Sequence, residues 1–241
     1  MATQPVRSLL VPDDAQRFYA AFIRPGDLCF DVGANVGVRT DVFLALGARV
    51  VAIEPQPRCV RLLRDKYAGD ARVTVVAEGV ATAAGTLPLF VADVSTISTF
   101  ASKWKTGRFR DHRWEREIRV PVTTLDRLIE QHGPPAFCKL DVEGFEHPAL
   151  QGLSRPMALL SFEFTREFLD DAALCMKHLE SLGATDFNCV LGETPSLALH
   201  EWTNAECLLS YLTALPDELL WGDVFAKSHD RCAMHEADDV H

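Results

Sequence analysis

An acid and a glycine-rich turn are the first residues whose spacing suggests chemistry. Asp31 lies in the apolar run 28–32 and precedes a turn in which Gly33 and Gly37 are four residues apart. A dinucleotide-binding turn has the pattern G-x-G-x-x-G, whose close first pair lets the backbone approach a pyrophosphate. Here a carboxylate stands in that place, which suits a ligand that is cationic or bears hydroxyl groups. The predicted ligand contacts in this turn are Asp31, Gly33, Ala34, Asn35 and Gly37.

A second acid follows the next apolar run. Glu54 ends the strand predicted over 48–53 and is followed by Pro55. An acid about 20 residues beyond a glycine turn accepts hydrogen bonds from the hydroxyl groups of a ribose. Glu78, after the third predicted strand, faces either an adenine amine or solvent. The sequence therefore predicts a nucleoside cofactor held by Glu54, with Pro55 and Glu78 beside it.

A third set of charged residues lies in a run that is typical of a buried strand. Lys139, Asp141 and Glu143 alternate within 136–146, and alternate residues of a strand share a face. Ligands of open α/β sheets bind at the carboxyl ends of the strands. Glu163 follows the fifth predicted strand and is expected at the same edge.

We predict that these four residues form the reaction centre. One carboxylate would act as general base and Lys139 would orient it, while Asp141 would also contact the cofactor. The alternative is a structural network of ion pairs. A carboxylate pair could instead hold a divalent cation, but no third ligand is evident, and no metal is predicted.

Residues 93–118 combine hydroxyl groups with a basic, aromatic stretch. Seven cations lie between positions 103 and 119, interleaved with three aromatic residues. One interpretation is a mobile lid that meets an anionic or aromatic substrate. The other is a solvated loop with scattered ion pairs. In the first interpretation the substrate contacts are Ser95, Ser98, Arg108, Arg110 and Trp114.

These residues are distributed over an alternating pattern of strands and helices. That pattern predicts one doubly wound, Rossmann-like α/β domain whose sheet is mostly parallel, with an antiparallel edge strand. Residues 1–26 read as a lead-in and a helix, 27–228 as the domain with 93–118 inserted, and 229–241 as a disordered tail. Helices are predicted over 13–23, 38–46, 57–67, 125–131 and 170–182, a small extra strand over 86–91, and a closing hairpin from 184–190 and 219–226.

Composition limits the classes of partner. The formal net charge of −10 argues against nucleic-acid and anionic-membrane binding, which need basic surfaces. Seven cysteines without a C-x-x-C pair indicate reduced, buried thiols. No apolar run approaches the ~18 residues of a membrane span, and no signal peptide is seen. These features predict a cytoplasmic protein that acts on a small molecule, and they leave the oligomeric state open.

Taken together, the motifs resemble the FkbM family of methyltransferases. The turn at 31–37 alone is typical of enzymes that use S-adenosylmethionine, and the run K-L-D-V-E-G-F-E at 139–146 narrows the resemblance. Further matches are Glu54-Pro55, the run 122–126 and W-G-D-V-F at 221–225, so that the resemblance spans about 27–226.

This resemblance implies methyl transfer from S-adenosylmethionine to a hydroxyl group of a secondary metabolite, macrolide or sugar. Two alternatives stay open: a module that binds S-adenosylmethionine without transferring its methyl group, and a nucleotide-dependent enzyme on the same fold.

Overall fold

The computed structural model describes residues 12–106 and 109–228. The predictions for residues 1–11, for Arg108 and for the tail at 229–241 therefore lie outside the described residues. The first helix ends at Tyr19, earlier than the predicted end near Ile23, and a turn connects it to the first strand.

The described part of the chain contains ten strands, which form two sheets. They are β1 (Leu28–Val32), β2 (Arg49–Ile53), β3 (Val73–Val76), β4 (Gly79–Val80), β5 (Gly85–Ala92), β6 (Trp114–Thr123), β7 (Phe137–Leu140), β8 (Leu159–Thr165), β9 (Ala184–Leu191) and β10 (Trp221–Ser228). The seven-stranded main sheet has the order β3-β2-β1-β7-β8-β10-β9. Neighbours from β3 to β8 are parallel, and β10 is antiparallel to both β8 and β9.

Seven α-helices lie within residues 12–106 and 109–228. They are α1 (Pro12–Tyr19), α2 (Val38–Ala45), α3 (Pro57–Lys66), α4 (Leu125–His132), α5 (Glu146–Leu150), α6 (Leu169–Ser181) and α7 (Ala205–Ala214). Their starts follow local chemistry. Pro57 occupies the first turn of α3, and the side chains of Thr124 and Asn204 accept backbone N–H bonds that cap α4 and α7.

The helices cover both faces of the main sheet. Apolar residues of α1 and α2 pack with Cys29, Phe137 and Phe225 on one face. Residues of α4, α5, α6 and α7 pack with Phe30 and Phe162 on the other. Because successive residues of a strand point to opposite faces, a strand covered on both sides is apolar throughout. The predicted fold class is confirmed, and the antiparallel strand expected at the edge lies one place inside it.

The segment 93–118 needs a correction, because part of it belongs to a second sheet. The small sheet has the order β4-β6-β5, with β5 at an edge as Pro88 indicated, and β6 begins at Trp114. Only the part between β5 and β6 is irregular, with short 3-10 turns at Ser95–Ile97 and Ser102–Lys105. Within the described ranges, no helix is long and apolar enough to span a membrane.

Candidate active site

A cleft opens at the carboxyl ends of β1, β2 and β7, between the main sheet and the small sheet. It encloses about 570 Å³ of empty space, part of it open to solvent. Its lining is Val32, Gly33, Asn35, Ile53, Glu54, Pro55, Gln56, Glu78, Gly79, Val80, Leu89, Ser95, Thr96, Ser98, Phe100, Asp141, Val142 and Glu143.

The glycine turn is shaped by a close approach of two strands. Gly33 has φ of 85°, and a Cβ atom built there would overlap the backbone carbonyl of Asp141. Its N–H donates to the carbonyl of Ile53 at 2.9 Å. Asn35 is also left-handed, with φ of 51°. Glycine at position 33 therefore lets the end of β1 lie directly beside the end of β7.

Glu54 is fixed at the end of β2 by the backbone. It is 2% exposed, and its two carboxylate oxygens accept from the N–H groups of Asn35 at 2.8 Å and Gln56 at 2.7 Å. Burial raises the pKa of Glu54 to about 7, although these two hydrogen bonds work against the rise. A carboxylate has about four acceptor positions, so two remain for the hydroxyl groups of a ligand.

The loop after β7 differs from the predicted strand. The strand ends at Leu140, and Glu143 has φ of 55°, which no strand residue adopts. The carboxylate of Glu146, in the first turn of α5, accepts from the N–H groups of Val142 at 3.1 Å and Gly144 at 3.2 Å. Thus Glu143 reaches the cleft because the loop turns, and strand alternation was the wrong reason for placing it there. Glu146 was not predicted as a site residue.

Three of the four predicted catalytic residues meet at this loop. One oxygen each from Asp141, Glu143 and Glu163 lies within 4.8 Å of the others. Glu143 and Glu163 are buried, while the Asp141 side chain is 28% exposed. Glu163 lies inside β8 and is not among the residues that line the cleft. This group offers three carboxylate oxygens of the kind that a divalent cation binds, and the third was not evident from the sequence.

Lys139 lies beneath the loop and is 2% exposed. Its Nζ atom donates to Asp223 Oδ1 at 2.7 Å and contacts Asp141 Oδ2 at 3.4 Å. Burial alone would lower the pKa of Lys139, but the carboxylates of Asp141 and Asp223 outweigh burial and raise it. The lysine is therefore charged and orients carboxylates without lining the cleft. Asp223 was not predicted as a site residue, and its only signal was its place in the run W-G-D-V-F.

Three predicted cofactor contacts in the turn are not in the cleft lining: Asp31, Ala34 and Gly37. Asp31 is 2% exposed and accepts from Thr40 Oγ1 at 2.5 Å. Burial raises the pKa of Asp31, against the hydrogen bond from Thr40. Asp31 therefore supports the turn from below, and its role as a direct ligand contact stays a prediction.

A segment between β5 and β6 borders the cleft on the side of the glycine turn. We call residues 95–106 the strap. Ser95 Oγ donates to Asn35 Oδ1 at 3.2 Å, and Gln56 Nε2 donates to the Ser95 carbonyl at 3.0 Å. Thr99 Oγ1 donates to the Glu143 carbonyl at 2.7 Å. The strap thus joins the glycine turn to the carboxylate loop and brings Ser95 and Ser98 into the cleft lining.

The described residues of the basic part of the predicted lid do not line the cleft. Arg110 is exposed, and its Nε atom lies 3.7 Å from Asp111 Oδ1. Trp114 is the first residue of β6 and pairs with Ala92 of β5. Trp104 is 2% exposed and stacks on Phe168 with ring centroids 5.4 Å apart. Arg110 and Trp114 are not among the residues that line the cleft, and their contact with a substrate stays a prediction.

The charged side chains that line the cleft are all acidic. Its lining contains the four carboxylates of Glu54, Glu78, Asp141 and Glu143, and no lysine, arginine or histidine. Such a site favours a cationic or neutral ligand over an anionic one. Phosphate groups would have no cation to meet among the described lining residues.

Comparison with known proteins agrees with this geometry. Residues 31–174, which include the glycine turn, Glu54 and the carboxylate loop, match the methyltransferase FkbM domain. The chain belongs to the FkbM methyltransferase family. Membership of this family implies S-adenosylmethionine as the cofactor.

Individual relatives of this FkbM protein are more distant. A chloroplastic small-subunit ribosomal RNA methyltransferase from Arabidopsis thaliana is 37% identical over 59 residues, which are 24% of this chain and 17% of that protein. A precorrin-6y C5,15-methyltransferase from Geobacter metallireducens has a TM-score of 0.47 at 12% identity, covering 95% of this chain and 94% of that chain. An Aeropyrum pernix fibrillarin with bound S-adenosylmethionine has a TM-score of 0.47 at 9% identity, covering 88% and 76%.

Proposed function

We propose that this FkbM protein transfers the methyl group of S-adenosylmethionine to a hydroxyl oxygen of a small molecule. The observation that supports this most is the composition of one cleft. Glu54, placed for a ribose, and the carboxylates of Asp141 and Glu143 line the same space. A cofactor position and a set of bases are therefore adjacent.

The residues of the cleft suit S-adenosylmethionine. In the proposal, Glu54 accepts hydrogen bonds from the ribose hydroxyls, and Glu78 and Phe100 border the base. The backbone of Gly33 lies against the cofactor, and Asn35 and Ser95 close over it. A carboxylate-lined cleft also attracts the positive charge of a sulfonium group.

The chemistry requires positioning and the removal of one proton. When bound, S-adenosylmethionine would supply an activated methyl group on a sulfonium sulfur, so that transfer to the hydroxyl oxygen would give S-adenosylhomocysteine and release the hydroxyl proton. The chain's own contribution is a base, and we assign that role to Asp141. Asp141 lines the cleft, is partly exposed, and is oriented by Lys139. Its carboxylate takes the hydroxyl proton. The carboxylates of Glu143 and Glu163 lie beside it and keep this part of the site negatively charged.

Ribosomal RNA is the substrate named for one relative, so RNA is the acceptor class to test against a small molecule. RNA recognition relies on cationic side chains that meet phosphates. This chain has a net charge of −10, and the described cleft lining has no cation. Both features favour an uncharged or cationic hydroxyl compound as acceptor.

The test follows a labelled methyl group into product. Protein and S-adenosylmethionine with an isotopically labelled methyl group are incubated with pools of hydroxyl-bearing metabolites, sugars and macrolides, and separately with total RNA. Mass spectrometry then locates the label. We expect it on an oxygen of a small molecule, together with an equal amount of S-adenosylhomocysteine.

Two controls sharpen this experiment. Asp141→Asn should lower the amount of labelled product about 10²- to 10⁴-fold, whereas Asp186→Asn, which alters a peripheral carboxylate, should behave as the wild type. Adding a chelator should leave the rate unchanged if the carboxylates work without a metal. Label in RNA or on a nitrogen would contradict the proposal, and loss of rate with chelator that magnesium restores would assign the carboxylate cluster to a cation.

A further inference from the structure

Asp223 makes the shortest contact to the buried lysine beneath the reaction centre, yet it does not line the cleft. We propose that Asp223 is a positioning residue: it anchors the ammonium group of Lys139 and so fixes the distance between that ammonium and Asp141. This inference rests on the proposed function for its catalytic meaning. It adds a residue of β10 to the reaction centre.

The pairing of the strands places Asp223 there. It lies near the start of β10, opposite Glu163 of β8 in the antiparallel register. Lys139 of β7 pairs with Ser161 of β8, two residues before Glu163. Residues two apart on a strand share a face, so Lys139, Glu163 and Asp223 come together on one side of the main sheet. This is also the side covered by α1 and α2.

The contact distances decide which carboxylate anchors the lysine. Asp223 Oδ1 lies 2.7 Å from Nζ, a short charge-assisted hydrogen bond, whereas Asp141 Oδ2 lies at 3.4 Å, beyond the usual range for such a bond. The side chain of Asp223 is 14% exposed and that of Asp141 is 28% exposed. Asp223 is therefore the more buried and the closer partner.

This arrangement leaves Asp141 able to act as a base. If the ammonium bonded Asp141 at full strength, it would stabilise the carboxylate and weaken its attraction for a proton. Because Asp223 holds the ammonium, the contact between Lys139 Nζ and Asp141 stays long at 3.4 Å, and it orients Asp141 toward the cleft. Without the negative charge of Asp223, Lys139 would have Asp141 as its remaining ion-pair partner among those described.

The anchoring is tested by NMR of lysine ammonium groups in the 15N-labelled full chain. In the wild type we expect a slowly exchanging signal for Lys139, assigned by its loss in Lys139→Met. Asp223→Asn should speed its exchange with solvent by about 10-fold or more, as expected for a lost charged hydrogen bond. Asp141→Asn should change it much less, and the matched control Asp186→Asn, which alters the Asp186–Lys227 pair, should not change it.

An unchanged signal in Asp223→Asn would overturn the proposal. If Asp223→Asn did not fold, the Asp141→Asn variant would decide alone, because loss of the signal there would make Asp141 the anchor. Thermal melts establish the folded fraction of each variant.

The catalytic consequence is read from turnover with the acceptor found by the labelling screen. Asp223→Asn should lower kcat about 10-fold or more with the affinity for S-adenosylhomocysteine unchanged. In an Asp141→Asn background it should cause little further loss, because the two residues act through one lysine. Equal losses in both backgrounds would show a structural role only. A screen without any methyl transfer would overturn the proposed function, while the NMR result would still decide whether Asp223 anchors Lys139.

Discussion

At the residue scale, Glu54 has two roles. Its carboxylate accepts hydrogen bonds from two backbone N–H groups, and it also lines the cleft in which we place the cofactor. Glu54→Ala should weaken S-adenosylhomocysteine binding about 10- to 150-fold, the effect of losing a hydrogen bond to a charged group. It should also lower the melting temperature, because two amides lose their acceptor. Calorimetric titration measures the affinity, with exposed Glu130→Ala as control. Wild-type affinity in Glu54→Ala would mean that another residue holds the ribose.

Glu146 should make stability depend on pH. Burial raises its pKa from 4.5 to about 7, against the hydrogen bonds from backbone N–H groups. Between these values the folded protein holds a proton that the unfolded chain releases, so this contribution is present at low pH and is lost as pH rises through about 7. The melting temperature should therefore fall more steeply from about pH 5 to about pH 8 in the wild type than in Glu146→Gln. Parallel curves would contradict the assignment.

At the scale of elements, the strap is held to the carboxylate loop through Gly144. This glycine has φ of 84°, and a Cβ atom built there would overlap the ring of Trp104. Gly69 has the same φ with no atom within 4 Å of such a Cβ, which makes it a matched control. Gly69→Ala should cost about 1–2 kcal/mol of unfolding free energy from backbone strain. Gly144→Ala should cost about 1–3 kcal/mol more, because Trp104 must move. Equal costs in urea unfolding would show that the strap does not pack there.

The elements also show what local sequence can predict. Apolar runs placed β1, β2 and the buried strand at 137–140, and the distance from the glycine turn to Glu54 placed both in one cleft. The contribution of Asp223 could not be found in this way. Its partner Lys139 is 84 positions away, and they meet only because β10 inserts between β8 and β9. The position of Glu143 depended on a left-handed residue in a loop, which alternation cannot predict.

The basic segment shows a second limit of sequence reasoning. Its cations read as a surface for an anionic substrate, but local sequence does not reveal which way a loop packs. In the structure Lys103 pairs with Asp171 of α6, and Trp104 is buried against Phe168. The same residues that suggested a substrate contact thus fasten the strap to the domain.

At the scale of the whole molecule, the acidic cleft should select its cofactor by charge and shape. S-adenosylmethionine and S-adenosylhomocysteine should raise the melting temperature, whereas NAD should not. At a concentration 100-fold above the dissociation constant, a ligand adds about 2.7 kcal/mol of stability, which a thermal shift readily detects. Stabilisation by NAD with no effect of S-adenosylhomocysteine would contradict the cofactor assignment.

The central claim is that the carboxylate loop beside the cofactor position removes the acceptor's proton. Turnover of Asp141→Asn, measured beside its affinity for S-adenosylhomocysteine and its melting temperature, tests this most directly. The account predicts a turnover about 10²- to 10⁴-fold below that of the wild type, as for loss of a general base, with affinity and melting temperature nearly unchanged. Wild-type turnover in this variant would contradict the claim.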